Sequence, residues 1–85
     1  MIKPNASHPY QIQDHEAFAL NDPNQAWQVK SGHIALCRVA LKNGKPTGQR
    51  QCFFTVNPGE VVFGVTPQDS ELVAIALEPT VVVPV

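Results

Sequence analysis

The chain has 85 residues, which makes one small domain that buries only about 60–65% of the surface its unfolded form exposes. Hydrophobic residues make up 44% and charged residues 15% of the chain, so we expect some apolar surface to contact a partner, a second copy or a continuation of the chain. The formal net charge is -1 and the six basic residues are scattered without a run. This distribution argues against binding to a nucleic-acid backbone.

The N-terminal segment, residues 1–14, is rich in Pro, Asn, Gln and His and shows no apolar period. It is predicted to be a flexible arm, or a segment that wraps the outside of the domain. A single β-barrel-like domain is predicted over residues 15–85, either complete or truncated from a longer chain. No secretory signal pattern precedes it, which predicts a cytoplasmic location.

The C-terminal stretch, residues 72–85, is the most apolar part of the chain, but Glu78 and two prolines interrupt it. It is shorter than the roughly 20 residues that a spanning helix needs, so we predict no membrane span in these residues. Its last part, residues 80–85, is predicted to form an apolar strand. Such a strand either pairs within the barrel, pairs with a second subunit, or marks a chain cut from a longer protein.

Turn-forming residues recur about every eight to twelve positions from Ala17 onward, with short runs rich in Val, Ile, Phe and Leu between them. Gly, Asn and Pro supply turn dihedrals, and β-branched and aromatic residues suit a pleated surface. The pattern predicts an all-β domain, a small antiparallel β-roll or jelly-roll barrel with almost no helix. The predicted strands cover residues 17–20, 26–30, 33–42, 49–56, 61–65, 72–77 and 80–83.

The most specific local prediction is a hairpin that joins residues 33–42 to residues 49–56. Its turn lies at residues 43–46, Asn-Gly-Lys-Pro, because Asn-Gly favours positive φ. If Lys42 faces Thr47 across this hairpin, the register also brings the two cysteines of the chain opposite each other.

Those cysteines, Cys37 and Cys52, are interpreted as reduced, half-buried thiols in preference to a disulfide, because the cytosol keeps thiols reduced. Near Cys37 the apolar alternation changes phase, from Ile34 and Leu36 to the odd-numbered positions that follow. Either a bulge near Cys37 or Arg38, or a strand buried on both faces, explains this change.

No catalytic or metal-ligating pattern stands out. His8, His15 and His33 are separated by 7 and 18 positions and form no His-x-His pair, unlike the ligands of a zinc site. The acidic residues occur singly near turns, and the chain contains neither a Gly-x-Ser-x-Gly elbow nor a Walker loop. We therefore expect no enzyme activity, no cofactor and no bound metal.

The aromatic residues are the main core candidates. Trp27 is interpreted as a core anchor in preference to an exposed binding aromatic, since a small domain rarely leaves its largest apolar side chain in water. Phe18, Phe53, Phe54 and Phe63 are predicted to join it. Phe53 and Phe54 are adjacent on a strand and point to opposite faces, so one of them covers an outer surface or an interface.

Four segments follow one another with predicted strands between them: Ser31-Gly32, the Gly44 turn, Asn57-Pro58-Gly59-Glu60 and Phe63-Gly64. Their order resembles the β-roll of cyclic nucleotide-binding domains and the related cupin barrels. The nucleotide binders imply Phe-Gly-Glu followed by an arginine for the phosphate, whereas this chain reads Phe63-Gly64-Val65-Thr66 and has no arginine after Arg50. The cupin pattern of two histidines and a glutamate after a glycine is also missing.

Three motifs occur in order along the chain: Ala26-Trp27-x-Val29-x-Ser31-Gly32, Gly48-x-Arg50 with Phe53-Phe54, and Gly59-Glu60-x-x-Phe63-Gly64. With them, residues 27–77 resemble the region that precedes the membrane domain in ABC exporters of the NHLM (nitrile hydratase leader microcin) bacteriocin system. The resemblance implies a cytoplasmic N-terminal accessory domain, membrane-associated through its parent transporter, that recognises cargo or regulates export.

Two functions of different classes follow. The first is a non-catalytic interaction or regulatory domain of a bacteriocin or peptide ABC exporter, with Trp27, Arg50 and Phe53 as its interaction surface. Its partners would be a leader peptide, other exporter domains or a second copy of the chain. The alternative is a small-molecule sensor of cupin-like or degenerate cyclic nucleotide-binding type, in which Arg50, Trp27 and His33 line a pocket. A degenerate cupin enzyme would in addition need a metal.

Overall fold

The computed structural model describes residues 9–85 and builds them from eight antiparallel β-strands. Residues 9–85 contain no helix, so none of sufficient length and apolarity to cross a membrane lies within this range. The all-β prediction is confirmed. The strands are β1 (Tyr10–Ile12), β2 (Ala17–Ala19), β3 (Ala26–Ser31), β4 (Ile34–Lys42), β5 (Lys45–Val56), β6 (Val61–Phe63), β7 (Ser70–Ala76) and β8 (Thr80–Pro84).

The strands form two four-stranded sheets, in the orders β1-β8-β3-β6 and β2-β7-β4-β5. The core lies between them, where Phe18 of one sheet contacts Trp27 of the other edge to face at a ring-centroid distance of 6.2 Å. Both rings are buried, which confirms Trp27 and Phe18 as core residues. The buried core residues are Ile12, Phe18, Leu20, Trp27, Val29, Ile34, Val56, Val62, Ala74, Ala76 and Val82.

The first and last strands of the described chain are neighbours. β8 lies between β1 and β3, so the apolar strand at the C-terminal end pairs on both sides within the domain. Of the alternatives that its sequence left open, pairing within the barrel is the one observed. β1 was missed by the prediction of an arm over residues 1–14, because three residues are too few to show a period. Ile12 of β1 is fully buried in the core, and residues 1–8 lie outside the described range.

The β4–β5 hairpin turns on two residues, Asn43 at φ 53° and Gly44 at φ 76°. Lys42 therefore faces Lys45, and the prediction that it faces Thr47 is wrong. The positive φ of both turn residues permits the tighter turn. Extra residues in β5 shift the register once between the turn and the cysteines, between Val39 and Leu41, and a second time beyond them, between Leu36 and Cys37.

Because of the shift between Val39 and Leu41, Cys37 does lie opposite Cys52, as predicted, and the structure joins the two in a disulfide. The interpretation as reduced thiols is therefore wrong for this structure. Its physical reason is the register, which brings the two Cα atoms to 3.9 Å from each other. Cys37 is fully buried, whereas Cys52 belongs to the exposed strand β5.

The change of phase in β4 comes from burial on both faces. The register of β4 with β7 is regular from Ile34 to Ala40, so its side chains alternate without interruption. Ile34 and Leu36 contact the core between the sheets, whereas Cys37 packs in a second apolar cluster on the outer face. A register shift does occur between Leu36 and Cys37, but the unpaired residue is Phe53 of β5, and β4 itself keeps its phase.

Three of the predicted core aromatics are exposed. Phe53, Phe54 and Phe63 are 58%, 55% and 67% exposed, so their assignment to the core is wrong. The physical reason is their place in the sheets: β5 and β6 are edge strands, one of each sheet. A strand at an edge has a neighbour on only one side, which leaves large side chains partly uncovered.

We expect the disulfide to contribute a measurable part of the free energy of unfolding. Cys37 and Cys52 are separated by 15 positions, and closing a loop of that length stabilises a domain by about 3 kcal/mol in the chain-entropy model. Reduction should therefore lower the free energy of unfolding, measured by urea denaturation, by up to about 3 kcal/mol. In the control variant Cys37→Ala/Cys52→Ala, reductant should change nothing. Two titratable thiols in the folded, air-purified protein would contradict the assignment.

Candidate ligand groove

An open groove of about 610 Å³ lies beside the core, between the edge strands β5 and β6. Its volume falls in the range of about 300–1,000 Å³ that small-molecule sites occupy. Its lining is apolar except for Glu60 and the backbone at Gly64. The lining residues are Leu36, Phe54, Val56, Glu60, Val61, Val62, Phe63, Gly64 and Val65.

The sheet register explains how this lining forms. Phe54 is paired with Leu36 across the β4–β5 ladder, so both side chains lie on the same face of the sheet. Val56 and Val62 are almost fully buried, at 2% and 4% exposure, and form the floor of the groove. Phe54 stands at its rim together with Phe63. The groove therefore has a solid apolar base and exposed aromatic walls.

The wall that follows β6 is fixed by the loop after β2. The Gly64 N–H donates to the carbonyl of Gln25 at 2.9 Å, and the Val65 N–H donates to the carbonyl of Leu20 at 3.0 Å. Gly64 lies so close to this loop that a Cβ atom there would collide with the backbone of Asp22. Backbone contacts thus hold this wall in place before any ligand arrives.

One carboxylate borders the groove. Glu60 closes the turn before β6, where its Oε1 accepts a hydrogen bond from the N–H of Asn57 at 2.7 Å. The N–H of Glu60 in turn donates to the carbonyl of Asn57 at 3.0 Å. This end of the groove consequently carries a fixed negative charge.

Beyond Val65 the groove adjoins a polar region around Arg38. Val65 also lines a recess of about 360 Å³ that includes Arg38, Ser70 and Leu72. Arg38 also lines a second recess, of about 650 Å³. That larger recess is lined by Arg38, Ala40, Gln49, Arg50, Gln51, Asp69 and Ser70.

The residues predicted to form a site do not come together. Trp27 is buried in the core, at 3% exposure, so its side chain is not at the surface. Arg50 and Phe53 do lie on one exposed strand, β5, and their role as an interaction surface stays a prediction. His33 directly precedes β4, whereas Arg50 is paired with Val39 farther along that strand. The Nδ1 of His33 is 2.8 Å from Oε2 of Glu78.

Sequence reasoning missed the groove because its lining comes from two sheets. Leu36 and Val65 are ordinary apolar residues in the sequence, and only the fold places them around one space. Arg38 did carry a signal, since it follows Ile34 and Leu36 at a spacing of two and so belongs to the same face. Among residues 9–85 no group of three or more His, Cys, Asp or Glu side chains is placed to hold a metal ion.

Comparisons with known proteins give a likeness of fold. No protein-family model matches the chain, and no curated protein matches it either. Solved structures of CprK do match. Reduced CprK without ligand has a TM-score of 0.65 at 14% sequence identity. The match covers 89% of this chain and 35% of the CprK chain. Oxidized CprK in complex with o-chlorophenolacetic acid has a TM-score of 0.61 at 15% identity, with coverage of 87% and 30%.

At these identities the likeness concerns the fold alone, and it supports the predicted β-roll. This chain spans between 30% and 37% of the CprK chains that it matches.

Proposed function

We propose that this chain is a non-catalytic, small-molecule-binding sensor domain that takes an apolar ligand into the groove between β5 and β6. The observation that carries the proposal is the groove itself: seven apolar side chains around about 610 Å³, with a buried floor and a wall held by backbone hydrogen bonds. A contiguous apolar surface open to water is typical of a binding site.

The structural neighbours support the choice of a small molecule. One of the matching CprK structures contains o-chlorophenolacetic acid, an aromatic compound of a size suited to such a groove. The prediction that Arg50, Trp27 and His33 line the pocket of a sensor is replaced here, because these three side chains lie in different places. In the proposal the ligand pocket is lined by Leu36, Phe54 and Phe63 instead.

The groove predicts that an aromatic probe binds through Phe63. Phe63 is 67% exposed at the rim, so Phe63→Ser should leave the fold intact while removing an aromatic contact worth about a 5-fold change in affinity. Binding is measured by the fluorescence of 1-naphthylacetic acid and of its neutral amide, titrated with the protein.

The matched control is Leu77→Ser, which removes an apolar side chain 48% exposed and outside the groove lining. Circular dichroism should show both variants folded. If Phe63→Ser and Leu77→Ser weaken the two probes equally, the groove is not the binding site. If neither probe binds the unaltered chain, the proposed function fails.

A second function remains a candidate because of the free edge of β5. This strand has 12 residues, all but Val56 exposed, and within residues 9–85 it pairs with β4 alone. An unpaired edge of that kind can accept an added peptide strand, with backbone hydrogen bonds for affinity and neighbouring side chains for specificity. We propose, as the second candidate, an accessory domain of a bacteriocin-type ABC exporter that takes a leader peptide along β5.

This candidate predicts peptide binding that depends on Phe53 and not on Phe63. Isothermal titration with a leader peptide of an NHLM-type bacteriocin should give a heat signal that Phe53→Ser weakens several-fold, because Phe53 is 58% exposed on β5. A peptide methylated at alternate backbone nitrogens cannot pair as a strand and should not bind. Equal binding of the methylated peptide would argue against strand addition.

A further inference from the structure

Arg38 is an exposed charged residue on the core-facing side of β4. It shares a face of β4 with Ile34 and Leu36, which contact the core and its rim, and it is paired with Leu72 of β7. Its side chain consequently lies beside the apolar groove. Val65, which lines both the groove and the recess that contains Arg38, connects the two spaces.

The charge of Arg38 has no carboxylate partner among residues 9–85, and residues 1–8 contain no Asp or Glu. Its only side-chain hydrogen bond within residues 9–85 goes to a neutral group: Nη2 donates to Oε1 of Gln51 at 3.3 Å. Arg38 is the one charged residue that lines the recess adjoining the groove at Val65. Asp69 borders the second recess that Arg38 lines but forms no ion pair with it. The polar end of the groove is therefore net positive.

The other end of the groove has the opposite sign. Glu60 carries its carboxylate there, held by the N–H of Asn57. An anion would be repelled from the Glu60 end and attracted to the Arg38 end, while the apolar lining between them suits a hydrocarbon body. The two ends together favour a ligand with one anionic group and an apolar remainder, bound in one orientation.

We propose that Arg38 binds the head group of an apolar monocarboxylic acid whose aryl or alkyl body lies against Leu36, Phe54 and Val65. This inference rests on the proposed sensor function and adds the class and the orientation of the ligand. A guanidinium presents two parallel N–H donors that match the two oxygens of a carboxylate. When the ligand binds, its carboxylate replaces the amide oxygen of Gln51, a weaker and neutral acceptor, as the hydrogen-bond partner of Arg38.

The experiment compares three probes of one shape and different charge: 1-naphthylacetic acid, 1-naphthylacetamide and 2-(1-naphthyl)ethylamine. Each is titrated by fluorescence into the unaltered chain, Arg38→Gln and the control Arg50→Gln. Arg50 is one position from Gln51 on β5 and is paired with Val39, on the opposite face of the sheet from Arg38. Melting curves of the three proteins check that all are folded.

The acid should bind the unaltered chain about 5- to 20-fold more tightly than the amide, and the amine should bind most weakly. Arg38→Gln should reduce the affinity for the acid to that for the amide and leave the amide unchanged. Arg50→Gln should keep the preference for the acid. Added salt should weaken binding of the acid only.

Equal affinities for acid and amide in the unaltered chain would overturn this inference. The proposal that the groove binds an apolar ligand would be unaffected. A preference that survives Arg38→Gln, or that Arg50→Gln removes, would also overturn this inference, because the head group would then lie elsewhere. Failure of all three probes to bind would overturn the proposed function together with the inference.

Discussion

The two sheets are unequal in length, and the binding geometry depends on that inequality. β4 and β5 have nine and 12 residues, whereas β3, β6 and β8, in the facing sheet, have six, three and five. The shorter sheet covers the end of β4 at Ile34, which is fully buried. Farther along the same face Leu36 is covered only in part and Arg38 is exposed. The hydrophobic effect closes the core where the two sheets face each other, and the groove lies at the margin of the core, between the long edge strand β5 and the short edge strand β6.

The long hairpin is not an isolated two-stranded ribbon, which would be marginally stable in water, because β7 pairs with β4 from Ile34 to Ala40. Burial on both faces of β4 adds further support: Ile34 faces the core, and Cys37 packs with Val73 and Ile75 on the outer side. The disulfide then joins β5 to this buried strand in the middle of its length. A rigid strand on one side and a backbone-anchored wall after β6 on the other fix the width of the groove, which lowers the entropic cost of holding a ligand.

The sequence was sufficient for the fold class and most strands, because turn residues and β-branched runs act locally. The Asn43-Gly44 turn and the opposition of Cys37 and Cys52 were also within its reach, although the exact pairing at Lys42 was not, since bulges in β5 leave no clear trace in residue type. Phe53, Phe54 and Phe63 show the limit more sharply. Their hydrophobicity predicts burial, but burial depends on which strands lie at the sheet edges, and strand order is set by long-range packing. The groove could not be predicted from the sequence for the same reason, because its position also depends on strand order.

The central claim is that the groove between β5 and β6 receives the ligand, and an NMR titration tests it most directly. Amide resonances of the ¹⁵N-labelled chain are followed while 1-naphthylacetic acid is added. We expect shift changes concentrated at Leu36, Phe54, Phe63 and Val65, with little change on the outer face at Ala17 and Ile75. Shift changes centred on that outer face, or spread evenly over the chain, would contradict it.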